Sequence, residues 1–595
     1  NSSFSGSPNG SGLIVTSATG VALDNLTVAD NGDETSDYGL LVSSSSQITL
    51  KFSSFSNNSG IGTYIYNSNN IVIYSNRMVD HQSHTLQLWT VNDALVARNI
   101  LESGSGDVVS AVSLYYTTDT WIENNSVTQQ GDGPEDSGIG LRYSYGNTIY
   151  NNSIGDSDAT GIRLRDDSNS NFVIDNHLLR LKGYGIQVSD GNRPSLYNLV
   201  SGNILEEIDQ YALYVATKGA WNTFSGNAIS DSEAQGIGVF GADNTFSGNS
   251  ISGGLAAAII DDGQRNSFTG NSIDATGQTA IIVYASGGTY SNNSITNGLE
   301  GFWISGSDNH FVNETVVVSS TALKFVNGDN NIFRESSLSG DVTLESGSTG
   351  NRLNATSLQG SISCDSSSQL FIADNIVVEA LNADLGTPFT GVHLRFKADG
   401  EVVYATPHFN GSDETTGADG RIAPQMLVHT SYTGSSDPES TEFRLAYAYR
   451  LRQEATVFNT TGPHLETVYI PDEWNYGLVQ NLRTGEEYGL ISDAVENANE
   501  GDELLVWPSL YEESIMVDKR VTITGLGPGV RVQGGSDAAF IIEADGTVLQ
   551  DLSIGNSSAG LVVNADDVTL ANLTISDIIS SEIEGEYAFL WDYET

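Results

Sequence analysis

Basic residues, lysine above all, are scarce in this chain of 595 residues. Lys and Arg number 24, only six of them Lys, against 74 Asp and Glu, which gives a formal net charge of −50. So negative a field repels nucleic acid and anionic membranes, and neither is expected as a partner. The chain is not a disordered acidic tail, because 38% of its residues are hydrophobic and 25 Tyr and 20 Phe accompany the charge.

Cysteine is nearly absent, and long apolar runs are missing. The single Cys364 excludes an intramolecular disulfide framework and any zinc site built on several cysteines. No run reaches the roughly 20 apolar residues of a membrane-spanning helix, so no membrane span is expected in this chain. The eight His are scattered along the sequence. Only His81 and His84 have a spacing near that of metal ligands, and loop polar residues are the simpler interpretation.

The chain has instead an internal repeat, clearest over residues 222–298. The segments NTFSGNAI, NTFSGNSI, NSFTGNSI and GTYSNNSI place Asn227, Asn249, Asn271 and Asn293 at intervals of 22 residues. A fixed period of this length indicates stacked repeats. Short runs of β-branched and aromatic residues bounded by Gly, Asn, Asp and Ser indicate strands and turns. The pattern predicts an all-β fold with a parallel β-solenoid, in which inward Asn side chains form a ladder from coil to coil.

These asparagines occupy a corner between two strands of a coil, and the same corner position recurs from residue 26 to residue 356. Aligning the coils on it gives about 15 coils with steps of 20 to 27 residues, and polar insertions such as 129–138 are expected to be surface loops. The other corner positions are Leu26, Ser53, Asn76, Asn99, Asn125, Asn152, Asn176, Asn203, Glu314, Ser336 and Thr356. We therefore predict a parallel β-helix over residues 1–373.

The period is lost after residue 371. Residues 374–471 contain longer alternating segments separated by turns, which predicts an antiparallel β-sandwich of about seven strands. The run LNADLGTPFTGVHLRFKADGEVVYATPHFNGSDETTGADGR resembles the small transthyretin-like or carboxypeptidase-regulatory-type sandwich of surface proteins. Asp413, Glu414 and Asp419 in this run are candidates for a Ca²⁺ site, with solvated loop acids as the alternative. No other cofactor is expected.

A short amphipathic helix followed by three strands is predicted within residues 488–525. Its apolar face consists of Ile491, Ala494, Val495 and Ala498. The segment resembles the start of right-handed parallel β-helix domains of the NosD-like and pectate-lyase-like kind, in which such a helix caps the first coil. The residues that carry the resemblance are Ala494, Gly501, Asp502, Pro508, Tyr511, Glu512, Lys519, Thr522 and Gly525. The resemblance implies right-handedness and the capped start of a second β-helix over residues 472–595; it does not imply catalysis.

The two ends of the chain match in phase. Tyr587, Leu590 and Trp591 align with positions of an ordinary coil, and Asn1 and Phe4 align with positions further along such a coil. An uncapped solenoid exposes a strand edge and an apolar core. We therefore predict that one copy continues head-to-tail into the next, which propagates into a filament or array. The alternative is a truncated chain whose missing ends cap it.

Twelve of the chain's N-x-S/T sequons are the candidate glycosylation sites, and they favour an extracellular, glycosylated protein. They lie at Asn1, Asn25, Asn57, Asn124, Asn151, Asn292, Asn313, Asn354, Asn410, Asn459, Asn556 and Asn572. The combination of β-helix, sandwich and acidic composition resembles archaeal cell-surface proteins. The resulting prediction is a structural subunit of an extracellular filament, sheath or S-layer, without enzyme activity, whose partners are other copies of itself and cell-surface glycans.

The alternative prediction is a secreted polysaccharide-binding protein, or a lyase or epimerase acting on acidic glycans. Its candidate residues are Arg142 and Arg165, stacked one coil apart, with Asp166 and Asp190 nearby. Such chemistry needs cations that neutralise a uronate carboxylate, and a base in the same groove. The competing interpretation is an outward ladder of Arg–Asp pairs that offsets repulsion on an acidic rod.

Aromatic residues recur on comparable strands and are candidates for a sugar-stacking face. They are Tyr64, Tyr66, Trp89, Tyr115, Tyr116 and Tyr143. Simple cross-coil packing is the alternative interpretation of the same positions.

Overall fold

The computed structural model describes residues 2–7, 10–34, 36–103, 110–129, 136–434, 437–449, 452–471, 474, 478–527 and 529–578. The chain divides into two compact units. The first unit comprises Asn1–Ile376, Gln425–Glu442 and Phe458–His464. The second unit comprises Val377–Pro424, Phe443–Val457 and Leu465–Thr595. Almost all of the regular structure is β-strand, so the prediction of an all-β fold is confirmed.

Parallel strands of the first unit form three ladders, which we call faces A, B and C in the order in which a coil passes through them. Each strand pairs with the strand at the same place in the next coil, as Ser137–Arg142 does with Thr160–Arg165 on face A. Three continuous parallel ladders make this part of the chain a β-solenoid, as predicted.

The three faces have the following strands. Face A consists of Leu13–Thr16, Leu40–Ser43, Ser110–Tyr115, Ser137–Arg142, Thr160–Arg165, Ile186–Val188, Leu213–Val215, Ile237–Val239, Ile259–Asp261, Thr279–Val283 and Ile362–Cys364. Face B consists of Ala22–Asp24, Ser46–Lys51, Thr118–Glu123, Thr148–Tyr150, Phe172–Ile174, Leu199–Ser201, Thr223–Ser225, Thr245–Ser247, Ser267–Thr269, Thr289–Ser291, His310–Val312, Ile332–Arg334, Asn351–Asn354 and Gln369–Asn382. Face C consists of Ser2–Ser5, Leu26–Ala29, Ser54–Ser56, Arg77–His81, Ile100–Ser103, Ser126–Gln129, Ser153–Ser157, His177–Leu181, Ile204–Ile208, Ala228–Ser230, Ser250–Ser252, Ser272–Asp274 and Ser357–Gln359. Five longer strands pass through two faces: Thr63–Tyr74, Leu86–Ala97, Ser294–Ile304, Thr315–Val326 and Ser337–Glu345.

Alternation along each strand produces the core. On face A, Ile139, Ile162 and Ile186 occupy one inward column, fully buried and paired in register. Aromatic rings stack in the same way behind face B, with neighbouring centroids 4.1 to 5.2 Å apart. The rings of that stack are Phe224, Phe246, Phe268, Tyr290, Phe311 and Phe333. The fold is therefore held by like residues repeated at each coil, which is what a fixed sequence period requires.

The number of coils differs from the predicted number of about 15. Face C already begins at Ser2–Ser5, which pairs with Leu26–Ala29, one coil before the first predicted corner. The alignment began at Leu26 and therefore left out the coil to which Ser2–Ser5 belongs.

An antiparallel layer follows the last coils of the first unit. Gln369–Asn382 leaves face B and pairs through residues 369–376 with Gln425–Thr433, which in turn pairs with Glu439–Ser440. His429 and Asp374 are joined there by a buried contact of 3.0 Å between Nε2 and Oδ2. The pairing of the strands therefore changes from parallel to antiparallel at the point where the sequence repeat ends.

The second unit has a four-stranded sheet and a set of parallel strands. The sheet has the order Glu401–Ala405, His393–Ala398, Phe443–Tyr449 and Arg452–Phe458, and a short 3-10 turn, Pro407–Phe409, follows its first hairpin. The strand His464–Ile470 completes this part of the chain. The interpretation as a β-sandwich, and the domain boundaries at residues 373 and 471, stay predictions.

The helix Ile491–Asn497 buries Ile491, Ala494 and Val495. It ends four residues before Gly501, whose φ is +84°. Parallel strands follow on two ladders. One ladder has Glu503–Val506, Thr522–Gly525, Val548–Gln550 and Thr569–Ala571, with Val479–Asn481 antiparallel to its first strand and Glu487–Tyr488 beyond it. The other ladder has Ser509–Glu512, Val530–Ile542, Ser553–Val563 and Thr574–Ile575, and Ile515–Val517 pairs with Val530–Ile542. The assignment of this stack as a second β-helix stays a prediction.

Candidate functional site

A groove of about 320 Å³ lies on face A of the solenoid. Four coils contribute to it, and its polar and aromatic lining is concentrated on outward positions of their strands. The lining residues are His84, Gln87, Trp89, Ser110, Ser113, Leu114, Tyr115, Ser137, Gly140, Leu141, Arg142, Arg163 and Arg165. Three guanidinium groups thus converge on one groove of a chain that has a net charge of −50.

Strand register brings the arginines together. Arg142 pairs with Arg165, and Gly140 pairs with Arg163, on adjacent coils. Gly140 has no side chain to cover its neighbour, and a Cβ there would lie 2.7 Å from Oγ of Ser137. The glycine therefore opens the floor of the groove beside Arg163.

The carboxylate of Asp166 contacts two of the arginines, Arg142 and Arg165. Its Oδ2 accepts a hydrogen bond from Nε of Arg142 at 2.8 Å and lies 3.7 Å from Nε of Arg165. Its Oδ1 accepts the backbone N–H groups of Asn192 and Arg193 at 2.7 and 3.2 Å. Burial alone would raise the pKa of Asp166, but these donors and the two guanidinium groups outweigh it and lower the pKa. Asp166 is 1% exposed and Arg142 39%, so the carboxylate is covered while the guanidinium group faces solvent.

Arg163 and Asp190 form a second, more deeply placed pair. Nε of Arg163 donates to Oδ2 of Asp190 at 2.9 Å, and the two side chains are 5% and 13% exposed. Oδ1 of Asp190 is buried and accepts no hydrogen bond from the described residues. The lone pairs of that oxygen are therefore not used by the described residues.

Aromatic rings form the opposite side of the groove. Trp89 and Tyr115 pair in register on face A, and their rings stack with centroids 4.2 Å apart. The guanidinium carbon of Arg142 lies 5.6 Å from the ring centre of Tyr115 and 5.1 Å from that of Tyr143. Burial raises the pKa of Tyr115, so its phenol stays protonated at neutral pH. Such rings supply an apolar face next to cations.

His84 lines the groove as a neutral side chain. Its Nδ1 accepts the backbone N–H of Ser110 at 2.8 Å, which places the ring proton on Nε2. Burial lowers the pKa of His84, so the imidazole stays neutral at pH 7. It is therefore suited to donate one hydrogen bond rather than to carry a positive charge.

The predicted corner asparagines lie inside the solenoid, away from this groove. Nδ2 of Asn227 donates to Oδ1 of Asn249 at 2.9 Å, Asn249 to Asn271 at 3.0 Å, and Asn271 to Asn293 at 2.9 Å. The ladder continues to Glu314, whose Oε1 accepts from Nδ2 of Asn293 at 2.9 Å. Each of these side chains is at most 1% exposed, so their position is that of a structural element.

A second asparagine ladder runs before face B and was not predicted. In each member before Asn266, Nδ2 donates to Oδ1 of the asparagine in the next coil at 3.0 to 3.4 Å. Its members are Asn147, Asn171, Asn198, Asn222, Asn244 and Asn266. The first Asn of the segments NTFSGNAI and NTFSGNSI carries the same period of 22 residues and was the available signal.

Most of the predicted glycosylation sites are exposed. The exposed ones are Asn25, Asn57, Asn124, Asn151, Asn292, Asn313, Asn410, Asn459, Asn556 and Asn572. Asn354 is 7% exposed, which leaves no room for a glycan, and it is removed from the candidates as a correction. Asn1 lies outside the described residues.

The acids proposed for Ca²⁺ hold local turns. Oδ2 of Asp413 accepts the N–H of Ala405 at 2.7 Å, and Oδ1 of Asp419 accepts the N–H of Arg421 at 3.0 Å. The backbone carbonyl of Glu414 accepts the hydroxyl of Tyr404. Over the described part of the chain, no three His, Cys, Asp or Glu side chains are grouped in a way that could hold a metal ion.

Of the residues proposed for head-to-tail assembly, only Phe4 is described. It lies on Ser2–Ser5 and packs, partly buried, against the solenoid core. Asn1, Tyr587, Leu590 and Trp591 lie outside the described residues. Within the described ranges, no helix combines the length and the apolar character needed to cross a membrane.

A family model described as "Right handed beta helix region" matches residues 1–135, 108–220 and 195–338. These overlapping matches cover more than half of the chain. The chain belongs to the right-handed β-helix family. The predicted right-handed solenoid is thereby confirmed for the part of the β-helix that the matches cover.

Among solved structures, the β-helix is similar to proteins of low sequence identity. The Siphovirus 9NA tailspike receptor binding domain is 11% identical, with a TM-score of 0.36, covering 54% of this chain and 72% of that one. The catalytic unit of an α-1,3-glucanase from Streptomyces thermodiastaticus is 14% identical, with a TM-score of 0.38 and coverage of 50% and 62%. The A-module of a mannuronan C-5 epimerase from Azotobacter vinelandii is 13% identical, with a TM-score of 0.32 and coverage of 57% and 90%. No curated protein matches the chain.

The prediction that the chain has no enzyme activity was wrong. Two of the structures just named are, by their titles, a glucanase catalytic unit and an epimerase module.

Proposed function

We propose that this β-helix protein is secreted, binds an acidic polysaccharide in the groove of face A and acts on it as a lyase or epimerase. The observation that carries the proposal is the convergence of Arg142, Arg163 and Arg165 on one groove of a strongly acidic chain. Arg142 contacts Asp166 and Arg163 contacts Asp190, while the side chain of Arg142 stays 39% exposed at the groove. An exposed guanidinium group can donate charge-assisted hydrogen bonds to a uronate carboxylate.

The arrangement favours binding over a purely structural Arg–Asp ladder. Arg165 and Arg142 both lie on Asp166, so one buried carboxylate is shared by two guanidinium groups. A guanidinium group has five N–H donors in a planar fork, and Arg142, which is 39% exposed, presents its guanidinium group to a ligand in the groove. The stacked rings of Trp89 and Tyr115 supply the apolar side that a sugar ring can pack against.

For the chemical step, we assign the arginines to neutralising the ligand carboxylate and Asp190 to accepting the C5 proton. Removal of that proton builds negative charge on the uronate carboxylate, which fixed guanidinium groups stabilise. In a lyase, the electron pair then forms the C4–C5 double bond as the C4–O bond breaks, and water protonates the leaving oxygen. In an epimerase, C5 takes a proton from water on its other face. Oδ1 of Asp190, buried and without a hydrogen-bond donor among the described residues, is the candidate acceptor. Tyr115 and His84 are less suited, because the first stays protonated and the second already uses its Nδ1 lone pair.

Replacing Arg142 or Arg165 by glutamine is expected to weaken binding of polygalacturonate or alginate about 10- to 100-fold, since each guanidinium supplies charge-assisted hydrogen bonds. Isothermal titration at low ionic strength measures the loss. Absorbance of unsaturated uronate products, or exchange of the C5 proton with solvent, measures the reaction, and Asp190→Asn is expected to abolish it with less effect on binding.

Arg265→Gln is the matched control. Arg265 forms a similar bridge to Asp243 on the preceding coil, at 2.7 Å, outside the groove. If Arg265→Gln weakens binding as much as Arg142→Gln, the loss of binding is caused by the change in the net charge of the protein, and the proposal is wrong. Unchanged binding in both groove variants would also contradict it.

The structural-subunit function stays a prediction. It depends on contacts of Tyr587, Leu590 and Trp591, which lie outside the described residues. Secretion is supported by the exposed sequons, and mass spectrometry of the native protein for glycans at Asn124 and Asn292 would test it.

A further inference from the structure

The second unit has its own cluster of cations, separate from the solenoid groove. Arg395 and Lys397 lie on the outward face of His393–Ala398, and Arg444 lies on the neighbouring strand Phe443–Tyr449. They line a groove of about 310 Å³. The other lining residues are Gly400, Leu445, Ala446, Ala455, Thr456 and Val457, and none of the nine is acidic.

Register places like charges side by side. Lys397 pairs directly with Arg444 across the two strands, and Arg395 follows two positions earlier on the same face as Lys397. Like charges directly opposite each other on a sheet destabilise it. A chain with 74 acids and 24 bases has ample acids for such positions, yet three bases gather here. The described residues place no carboxylate within ion-pair distance of Arg395 or Lys397.

The shape of the groove comes from small residues between long ones. Ala446 pairs with Arg395 on the neighbouring strand, and its short side chain leaves space beside the arginine. The guanidinium group of Arg395 lies 5.1 Å from the ring centre of Phe409, which fixes its direction. Val457 is 57% exposed at the opposite wall. The volume is at the lower end of the roughly 300–1,000 Å³ of ligand pockets.

We propose that this groove is a second carbohydrate site, which takes an anionic sugar residue of an acidic glycan. The cations would hold its carboxylate or sulfate, and Ala446 and Val457 would pack against the apolar face of the ring. A bare inorganic anion does not need the apolar wall, and this is why we choose a charged sugar ring as the occupant. The choice of glycan rests in part on the proposed function, but the site lies in a different unit and can be tested alone.

Glutamine at both Arg395 and Lys397 is expected to weaken binding of oligogalacturonate at this site at least about tenfold, because two charge-assisted contacts are lost. The measurement is made in a protein that also carries Arg142→Gln and Arg165→Gln, so that binding to the solenoid groove does not contribute. Glutamine at both Arg520 and Arg531, which removes two positive charges from exposed positions of the second unit, is the matched control. Methyl-esterified oligogalacturonate is the matched ligand without charge.

A measurement on the unaltered protein avoids any folding defect. Lys397 is one of only six lysines, so its acetylation can be followed by mass spectrometry with and without oligogalacturonate. Protection of Lys397 at least about fivefold above that of Lys218 is expected if the glycan occupies the groove. Protection by inorganic sulfate or by polyglutamate as strong as that by the glycan would overturn the assignment, as would equal binding of the esterified ligand.

The two proposals fail differently. Unchanged binding in the solenoid variants, with Lys397 still protected, overturns the groove on face A as the ligand site and leaves the second site intact. Lack of protection at Lys397 with normal sensitivity to Arg142→Gln overturns the second site and leaves the proposed function intact.

Discussion

Replacing Asn249 by leucine is expected to destabilise the coils around it by about 2–4 kcal/mol, because the buried polar groups that it satisfies lose their partners. Oδ1 of Asn249 accepts the backbone N–H of Asn227 at 3.0 Å and its Nδ2 at 2.9 Å. Nδ2 of Asn249 donates to the carbonyl of Phe224 at 3.1 Å and to Oδ1 of Asn271 at 3.0 Å. Leucine fills the space but replaces none of these four bonds.

The loss is expected to remain local. Each coil contacts only its neighbours, so the stability of a solenoid is close to a sum over coils and interfaces. Native-state hydrogen exchange should show faster exchange at the amides of residues 223–275, with coils beyond Glu314 unchanged.

Asn69→Leu is the control for this experiment. Asn69 is an exposed residue of Thr63–Tyr74, and its replacement is expected to change stability by less than about 0.5 kcal/mol. A similar effect of the two substitutions would show that the buried ladder contributes no more than an exposed asparagine, which contradicts the prediction.

Local periodicity explains how much of the fold could be predicted from the sequence. A coil of about 22 residues contains its own strands, and its corner needs a residue that tolerates positive φ next to one that bonds to the next coil. Asn292 and Asn293 show both jobs: the first has φ of +57° and is exposed, and the second is buried in the ladder. The same pattern of corner residues repeats at each coil, so a single sequence gives many independent indications of the same fold.

The groove could be predicted only in part. Arg142 and Arg165 end the similar strands GIGLR and GIRLR, so their stacking could be read from the sequence. His84 and Trp89 belong to earlier coils joined by turns of unequal length, and their distance from the arginines depends on how those turns are folded. Gly140 contributes by lacking a side chain, which no residue pattern identifies.

Departures from the repeat compensate one another in the structure. Tyr290 stands where earlier coils have Phe, and Asp261 stands where the neighbouring coils have Val239 and Val283. The hydroxyl of Tyr290 donates to Oδ2 of Asp261 at 2.6 Å inside the core. Each exception is visible in the sequence, but their pairing across 29 residues depends on how the side chains of adjacent coils meet.

Replacing Glu314 by glutamine is expected to stabilise the protein at high pH and to change little at low pH. Glu314 occupies the position of an asparagine in the corner ladder and is 1% exposed. Its Oε1 accepts from Asn293, while its Oε2 is buried without a hydrogen-bond partner among the described residues. Burial raises the pKa of Glu314 to about 8, against the lowering effect of its hydrogen bonds with Asn293.

The direction of the pH dependence follows from that pKa. A glutamate in the unfolded chain loses its proton near pH 4.3, whereas Glu314 in the folded protein keeps it up to about pH 8. The stabilising contribution of the protonated form is complete below the unfolded value and is lost as the pH rises through the folded value. Above that value, the folded protein carries a buried charge that glutamine avoids, which corresponds to about 2–4 kcal/mol.

Urea unfolding of both proteins at pH 5 and pH 9 measures the difference. Asp261, whose pKa burial raises to about 7, titrates in both proteins, so its contribution cancels in the comparison. Glu335→Gln is the control, because Glu335 carries the same charge at an exposed position of the same coil. A gain in stability from Glu314→Gln that is equal at pH 5 and pH 9 would mean that the buried carboxyl does not titrate between them, and the raised pKa would then be wrong.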